Sequence, residues 1–116
     1  MRQIKTANYI RVDKTTARAL YKTGQKNRLF LCPVNLNPES LWNIAVNVTG
    51  FDYADFDTLI SSFEYYNCNN SETGRYTAFY VPREWYELKM AANKEWNPDR
   101  AEELLKQLEA WEAMHP

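Results

Sequence analysis

The order in which strand-like and helix-like apolar patterns follow one another most strongly constrains what this chain can fold into. Alternation with period two, or a short apolar run, predicts four strands, at 4–12, 28–34, 41–50 and 75–81. Apolar spacing near 3.6 residues predicts helices at 14–23 and 53–66, and two more within 82–116. The order β-α-β-β-α-β with two C-terminal helices predicts an α+β fold with a small sheet, either ferredoxin-like or of an unrelated α+β layout.

A chain of 116 residues is long enough to bury one core, and its composition is that of an ordinary globular protein. We therefore expect a single domain over 1–116, with 82–116 as a helical extension packed on it. The sequence has two cysteines without a partner motif and no apolar segment typical of a signal peptide or a membrane span. These features predict a cytoplasmic protein with reduced thiols.

Polar side chains that cap helices predict where three of the helices begin. They are Asp13, Asp52 and Asn97. Phe51 and Phe56 flank the second of these positions with the spacing of a hydrophobic staple. The strand predicted at 41–50 has the clearest alternation, in which Trp42 and Ile44 face the core and Asn47 faces solvent.

Charge is distributed unevenly along the chain, although the net charge is only −1. Residues 1–30 contain eight Lys or Arg and one acid, whereas residues 31–74 contain six acids and no Lys or Arg. Two surfaces of opposite charge could each serve a partner, or they could face each other within the fold.

Residues for catalysis or metal binding are difficult to assemble from this sequence. The sole histidine, His115, is the penultimate residue, and Cys32 lies in an apolar run, whereas Cys68 follows a helix in a turn where we expect it to be exposed. The sequence has neither a zinc-ligand spacing nor a glycine-rich phosphate loop. We therefore predict no enzymatic activity, no cofactor and no metal.

The basic segment offers one candidate binding surface. Lys14, Arg18 and Lys22 recur at helical spacing and predict a basic stripe on the first helix. Such a stripe could neutralise phosphates of a nucleic acid, although the RNP1 aromatic pattern of an RRM is missing. An ordinary solvated helix face is the alternative.

The acidic segment offers a second candidate binding surface. It comprises Asp55, Asp57, Glu64, Tyr65 and Tyr66. Carboxylates with exposed tyrosines and no cations could dock on a basic groove of another protein. This pattern favours an interaction protein, while simple solvation would also account for the charges.

Two stretches, KTTARALYKTG…LFLCPVNLNP and FEYYNCNNSETGRYTAFYV, resemble small uncharacterised proteins carried by phages and mobile elements of Firmicutes. The resemblance covers roughly residues 10–82 and carries no catalytic residue. It implies a context in which small proteins bind and disable host defence systems, including CRISPR nucleases.

Taken together, these patterns predict a non-enzymatic protein that binds a host protein, such as a nuclease or another defence component, in an anti-CRISPR-like role. A nucleic-acid-binding module that uses the basic helix is the first alternative. A protein that sequesters a small molecule or nucleotide in an aromatic pocket is the second. We expect no association with a membrane, and the formation of a homodimer is left as an open possibility.

Overall fold

A computed structural model describes residues 8–38, 45–51, 53 and 55–115. By contacts, the chain divides into two units, Met1–Val81 and Pro82–Pro116. The division falls where the helical extension was predicted to begin. That the extension packs on the rest of the chain stays a prediction.

The described part of the first unit contains a four-stranded sheet and two α-helices, and it confirms the α+β class. The strands are β1 (Tyr9–Val12), β2 (Phe30–Pro33), β3 (Val46–Asn47) and β4 (Thr77–Pro82). The helices are α1 (Lys14–Lys22) and α2 (Phe56–Asn67). The predicted order of elements is therefore confirmed.

The sheet has the strand order β1-β4-β2-β3. Strand β2 pairs antiparallel with both neighbours, with Phe30 opposite Tyr80 on β4 and opposite Asn47 on β3. In a ferredoxin-like sheet the first and third strands lie side by side at the centre, whereas here β2 and β4 are central. The ferredoxin-like option is therefore wrong, because the order of elements along a chain does not determine which strands pair.

Helix α1 has the ends that the sequence predicts. The Asp13 carboxylate accepts a hydrogen bond from the Thr16 amide at 2.7 Å and caps the first turn. At the other end, Gly24 adopts a φ of +83°, and the Gln25 amide donates to the Leu20 carbonyl at 3.0 Å. This pattern is a Schellman motif, and it turns the chain back toward β2.

Helix α2 begins later than predicted. Its N-cap is Asp55, whose carboxylate accepts hydrogen bonds from both the amide and the hydroxyl of Thr58 at 2.8 Å. Asp52 lies outside the described residues, and the predicted staple spacing is wrong because Phe56 is the first helical residue. Thr58 gives Asp55 two hydrogen bonds, which fix Asp55 as the N-cap. The predicted apolar face is confirmed, since it is buried at Phe56, Leu59, Ile60 and Phe63.

Of the strand predicted at 41–50, only residues 45–50 are described. Only Val46 and Asn47 form β3, and a 3-10 turn follows at Val48–Gly50. The Asn47 side chain causes this change, because it accepts a hydrogen bond from the Thr49 amide and donates to the Leu29 carbonyl at 3.2 Å. Trp42 and Ile44 lie outside the described residues.

The second unit is a pair of helices, α3 (Arg83–Lys94) and α4 (Pro98–Met114), which pack against each other. The Asn97 side chain caps α4, as predicted. Trp85 is fully buried, and its indole nitrogen donates to Glu112 at 3.2 Å. In the described part of the chain, no helix combines the length and the apolar character needed to cross a bilayer.

Candidate interaction surface

The two oppositely charged segments meet where α1 lies beside α2. Arg18 Nη2 is 2.8 Å from Asp57 Oδ1, and the Arg18 guanidinium lies 5.4 Å from the centre of the Phe56 ring. Lys14 and Lys22, on the same helix, are exposed. The basic stripe is therefore interrupted at its centre, where Arg18 joins two helices of the first unit.

Asp55 and Asp57 also have structural roles. Hydrogen bonds from the backbone amide and the hydroxyl of Thr58 hold the pKa of Asp55 below its ordinary value. Asp57 lies in the first turn of α2, where a carboxylate interacts favourably with the helix dipole, and it pairs with Arg18. Helix capping and the ion pair account for both acids without a partner, and their role in binding stays a prediction.

Three exposed tyrosines lie at the C-terminal end of α2 and just before β4. Tyr65, Tyr66 and Tyr76 have 74%, 72% and 72% of their surface exposed, and we call them the tyrosine patch. Tyr65 and Tyr66 contact each other edge to face, with ring centres 4.9 Å apart. Exposed aromatic rings of this kind are common at protein interfaces.

Two open grooves border the tyrosine patch, and Glu64 lines both. The first, of about 630 Å³, is lined by Glu64, Tyr65, Tyr66, Cys68, Asn69 and Arg75. The second, of about 580 Å³, has Glu64 and Tyr76 together with Arg11, Asp13, Lys14 and Thr77. Glu64 thus shares one groove with Tyr65 and Tyr66 and the other with Lys14, all four of them predicted residues. The linings add three residues that the prediction missed: Arg11, Arg75 and Tyr76.

Glu64 is half-buried, and one of its carboxylate oxygens accepts a hydrogen bond from the buried Thr77 hydroxyl at 2.9 Å. Among the described residues, no Lys or Arg forms an ion pair with it. It is therefore a carboxylate held in position by the sheet, and it faces the grooves with its charge unpaired.

A turn between α2 and β4 carries Asn69 and leads to Arg75 and Tyr76. Within this turn the Asn70 side chain accepts hydrogen bonds from the Glu72 and Thr73 amides, each at 2.9 Å. The Gly74 amide donates to the Asn70 carbonyl at 3.0 Å and closes the turn. Asparagine side chains commonly hold turns in this way.

The same turn is attached to the segment that follows β2. The Asn35 amide donates to the Thr73 carbonyl at 3.0 Å, and the Val34 amide donates to the Tyr76 carbonyl at 2.9 Å. Gly74, with a φ of +77°, lies so close to Val34 that a Cβ atom on Gly74 would be 2.6 Å from Val34 Cγ1. The turn is thus fixed at several points, and it holds the end of the tyrosine patch that contains Tyr76.

Both thiols are buried, so the expectation that Cys68 is exposed is wrong. Burial, with a smaller contribution from the neighbouring Cys68, raises the pKa of Cys32 to about 11. Burial and the Glu64 charge also raise the pKa of Cys68. Protonated buried thiols are poor nucleophiles, so neither cysteine has the environment of a reactive residue.

The described residues contain no cluster of three or more His, Cys, Asp or Glu side chains suited to a metal ion. His115 is exposed at the end of α4, where its ring stacks on Trp111 with centres 4.0 Å apart. This histidine belongs to the second unit.

Comparisons of the chain with protein-family models, with curated proteins and with solved structures find no match.

Proposed function

We propose that this protein is a non-enzymatic interaction protein that binds another protein through the tyrosine patch. The observation that carries the proposal is the exposure of Tyr65, Tyr66 and Tyr76, each above 70%, around two adjoining grooves. Tyrosine and arginine are enriched at protein interfaces, and they supply much of the binding energy there.

The composition and rigidity of the surrounding surface support the same proposal. Asn69, Asn70 and Ser71 follow the first two tyrosines and are exposed, and Arg75 completes the turn. Mixtures of Tyr, Asn and Ser are typical of antibody contact surfaces, where rigid rings give area and small polar groups give adaptable hydrogen bonds. Because internal hydrogen bonds already hold the turn, binding would require little further ordering.

The resemblance of residues 10–82 to phage and mobile-element proteins supports a bacterial host protein as the partner. A component of a defence system, including a CRISPR nuclease, is the partner class that this context favours. The site of action would then be the host cytoplasm.

Affinity purification tests the proposal. The tagged protein is incubated with a nuclease-treated bacterial lysate, and the captured proteins are compared with those of a variant carrying Tyr65→Ala, Tyr66→Ala and Tyr76→Ala. We expect the triple variant to reduce capture at least about tenfold, as is usual when central aromatic contacts are removed. Trp96→Ala is the matched control, because Trp96 is 88% exposed and lies in the second unit.

Capture must be compared at equal folded concentration, which far-UV circular dichroism establishes. If the triple variant captures the same proteins as the wild type in the same amount, the tyrosine patch is not the binding surface. If Trp96→Ala alone abolishes capture, the surface lies in the second unit instead.

A second candidate is binding of single-stranded nucleic acid, and one observation favours it. Arg11, Lys14 and Arg75 line the grooves beside the exposed tyrosines. Aromatic rings on which bases stack, together with cations that follow the phosphates, are typical of single-strand binding proteins. Fluorescence anisotropy with an oligothymidine tests this candidate, since affinity should fall steeply with salt and with Lys14→Ala or Arg75→Ala.

A further inference from the structure

Glu64 occupies the position that both grooves share. Its carboxylate is half-buried, accepts one hydrogen bond from Thr77, and forms no ion pair with any described Lys or Arg. A carboxylate that is partly removed from water interacts more strongly with a cation than an exposed carboxylate does. A ligand that brings a cation to Glu64 would therefore gain more there than at the exposed acids.

The rings beside Glu64 are suited to the same ligand. Tyr65 and Tyr66 line the first groove with Glu64, and Tyr76 lines the second. The faces of exposed tyrosine rings attract ammonium and guanidinium groups. Each groove thus has the Glu64 carboxylate and at least one exposed tyrosine in its lining, the two kinds of group that stabilise a bound cation.

The other charges near the grooves affect this site less. Arg75, Arg11 and Lys14 line the grooves but are exposed, so the surrounding water weakens their repulsion of an incoming cation. Asp13, on the second groove, uses its carboxylate to cap α1. Glu64 is thus the acid in these linings that is both unpaired and partly desolvated.

We propose that Glu64 and the tyrosine patch receive a lysine or arginine side chain from the partner protein. This inference rests on the proposed function, and it adds the chemistry by which the partner is recognised. The cation would lie against the Glu64 carboxylate with its aliphatic stem along the tyrosine rings.

NMR titration of the isotope-labelled protein with short capped peptides tests the inference without knowledge of the partner. The probes are acetyl-Gly-Arg-Gly-amide and acetyl-Gly-Lys-Gly-amide, with the Gln and Glu analogues as controls. We expect saturable shifts at Glu64 and the three tyrosines with the Arg and Lys peptides, and weaker effects with the Gln and Glu peptides. The site should prefer a cation by about threefold or more, the range of one ion pair with one ring contact.

Two variants assign the effect to Glu64. Glu64→Gln keeps an acceptor for the Thr77 hydroxyl but removes the charge, and it should weaken the Arg peptide about three- to tenfold. Glu72→Gln removes an exposed acid of the neighbouring turn, and it should leave the affinity unchanged. The inference is overturned if Glu64→Gln binds the Arg peptide as well as the wild type does. It is equally overturned if the Gln or Glu peptide produces the same shifts.

The result can be separated from that of the capture experiment. If the triple tyrosine variant loses its protein partner while the cationic peptides do not bind, only the cation site is wrong. If the peptides bind as expected while the triple variant keeps its partner, the site binds a cation but receives none from that partner, and both the proposed interaction surface and this inference are wrong.

Discussion

Replacing Gly74 by alanine should destabilise the first unit more than the same replacement at Gly24. Both glycines have positive φ, +77° and +83°. A Cβ atom at Gly24 would meet nothing within 4 Å, whereas at Gly74 it would lie 2.6 Å from Val34 Cγ1 and 3.0 Å from Asn35 Cγ. Comparing the two alanine variants therefore separates the cost of the backbone conformation from the cost of the contact between the new Cβ atom and its neighbours.

The expected magnitudes follow from these two costs. Alanine in the left-handed region costs about 1–2 kcal/mol, of which about 0.4–1 kcal/mol is offset by the stiffer unfolded chain. Gly24→Ala should therefore lower the free energy of unfolding by about 1 kcal/mol. Gly74→Ala adds overpacking of about 1–3 kcal/mol, because the β-branched Val34 side chain has few other rotamers to adopt.

Native-state hydrogen exchange at the amides of β2 and β4 measures these differences within the first unit, apart from the helices of the second. The double variant Gly74→Ala with Val34→Ala is the internal control, since it removes the methyl group that the new Cβ would contact. It should be less destabilised than the sum of the two single variants. Equal losses for Gly24→Ala and Gly74→Ala would refute the reasoning, because the close approach would then cost nothing.

Three further predictions concern side chains outside the turn. Cys32 and Cys68 should react with Ellman's reagent at pH 8 only after unfolding in urea, since burial keeps both thiols protonated. Rapid labelling of the native protein would contradict this prediction. The pKa of Asp55 is lowered in the folded protein, so the stabilisation that its charge provides is present above pH 3.8, the usual value, and is lost as the pH falls through the folded pKa. The melting temperature should therefore fall more on acidification for the wild type than for Asp55→Asn. Parallel falls in the two proteins would count against the cap. A double-mutant cycle of Arg18→Ala and Asp57→Ala should give a coupling of about 0.2–1 kcal/mol in urea unfolding that shrinks at high salt, and zero coupling at low salt would mean that the pair is absent in solution.

The features that sequence predicts well here are those decided by neighbouring residues. Asp13 and Asn97 cap their helices as expected, and Gly24 ends α1, because each needs only a few residues on either side. Within the described residues 45–50, the departure from the predicted strand comes from a long-range contact instead. Asn47 uses its side chain to bind backbone groups more than fifteen residues away, and that long-range bond converts an alternating pattern into a two-residue strand and a turn.

Of the seven residues named at the candidate site, four were predicted from the sequence: Lys14, Glu64, Tyr65 and Tyr66. Glu64, Tyr65 and Tyr66 are consecutive on α2, so one short stretch of sequence was enough to indicate all three. Arg75 and Tyr76 line grooves with Glu64 because the start of β4 lies against α2, where Thr77 donates to Glu64, and no local pattern encodes that contact. The charge segregation was visible, but the contact between Arg18 and Asp57 depends on how α1 lies beside α2.

The residues that fix the turn at Asn70 are different from the tyrosines exposed beside it, and this separation affects how the protein can evolve. Backbone hydrogen bonds, the Asn70 side chain and Gly74 fix the shape of the turn, while the tyrosine rings lie mostly in solvent. Exposed side chains of that kind are usually replaced at a cost within about 0.5 kcal/mol of stability. Selection could thus exchange the rings one at a time to follow a partner whose surface is changing, without loss of the scaffold that presents them.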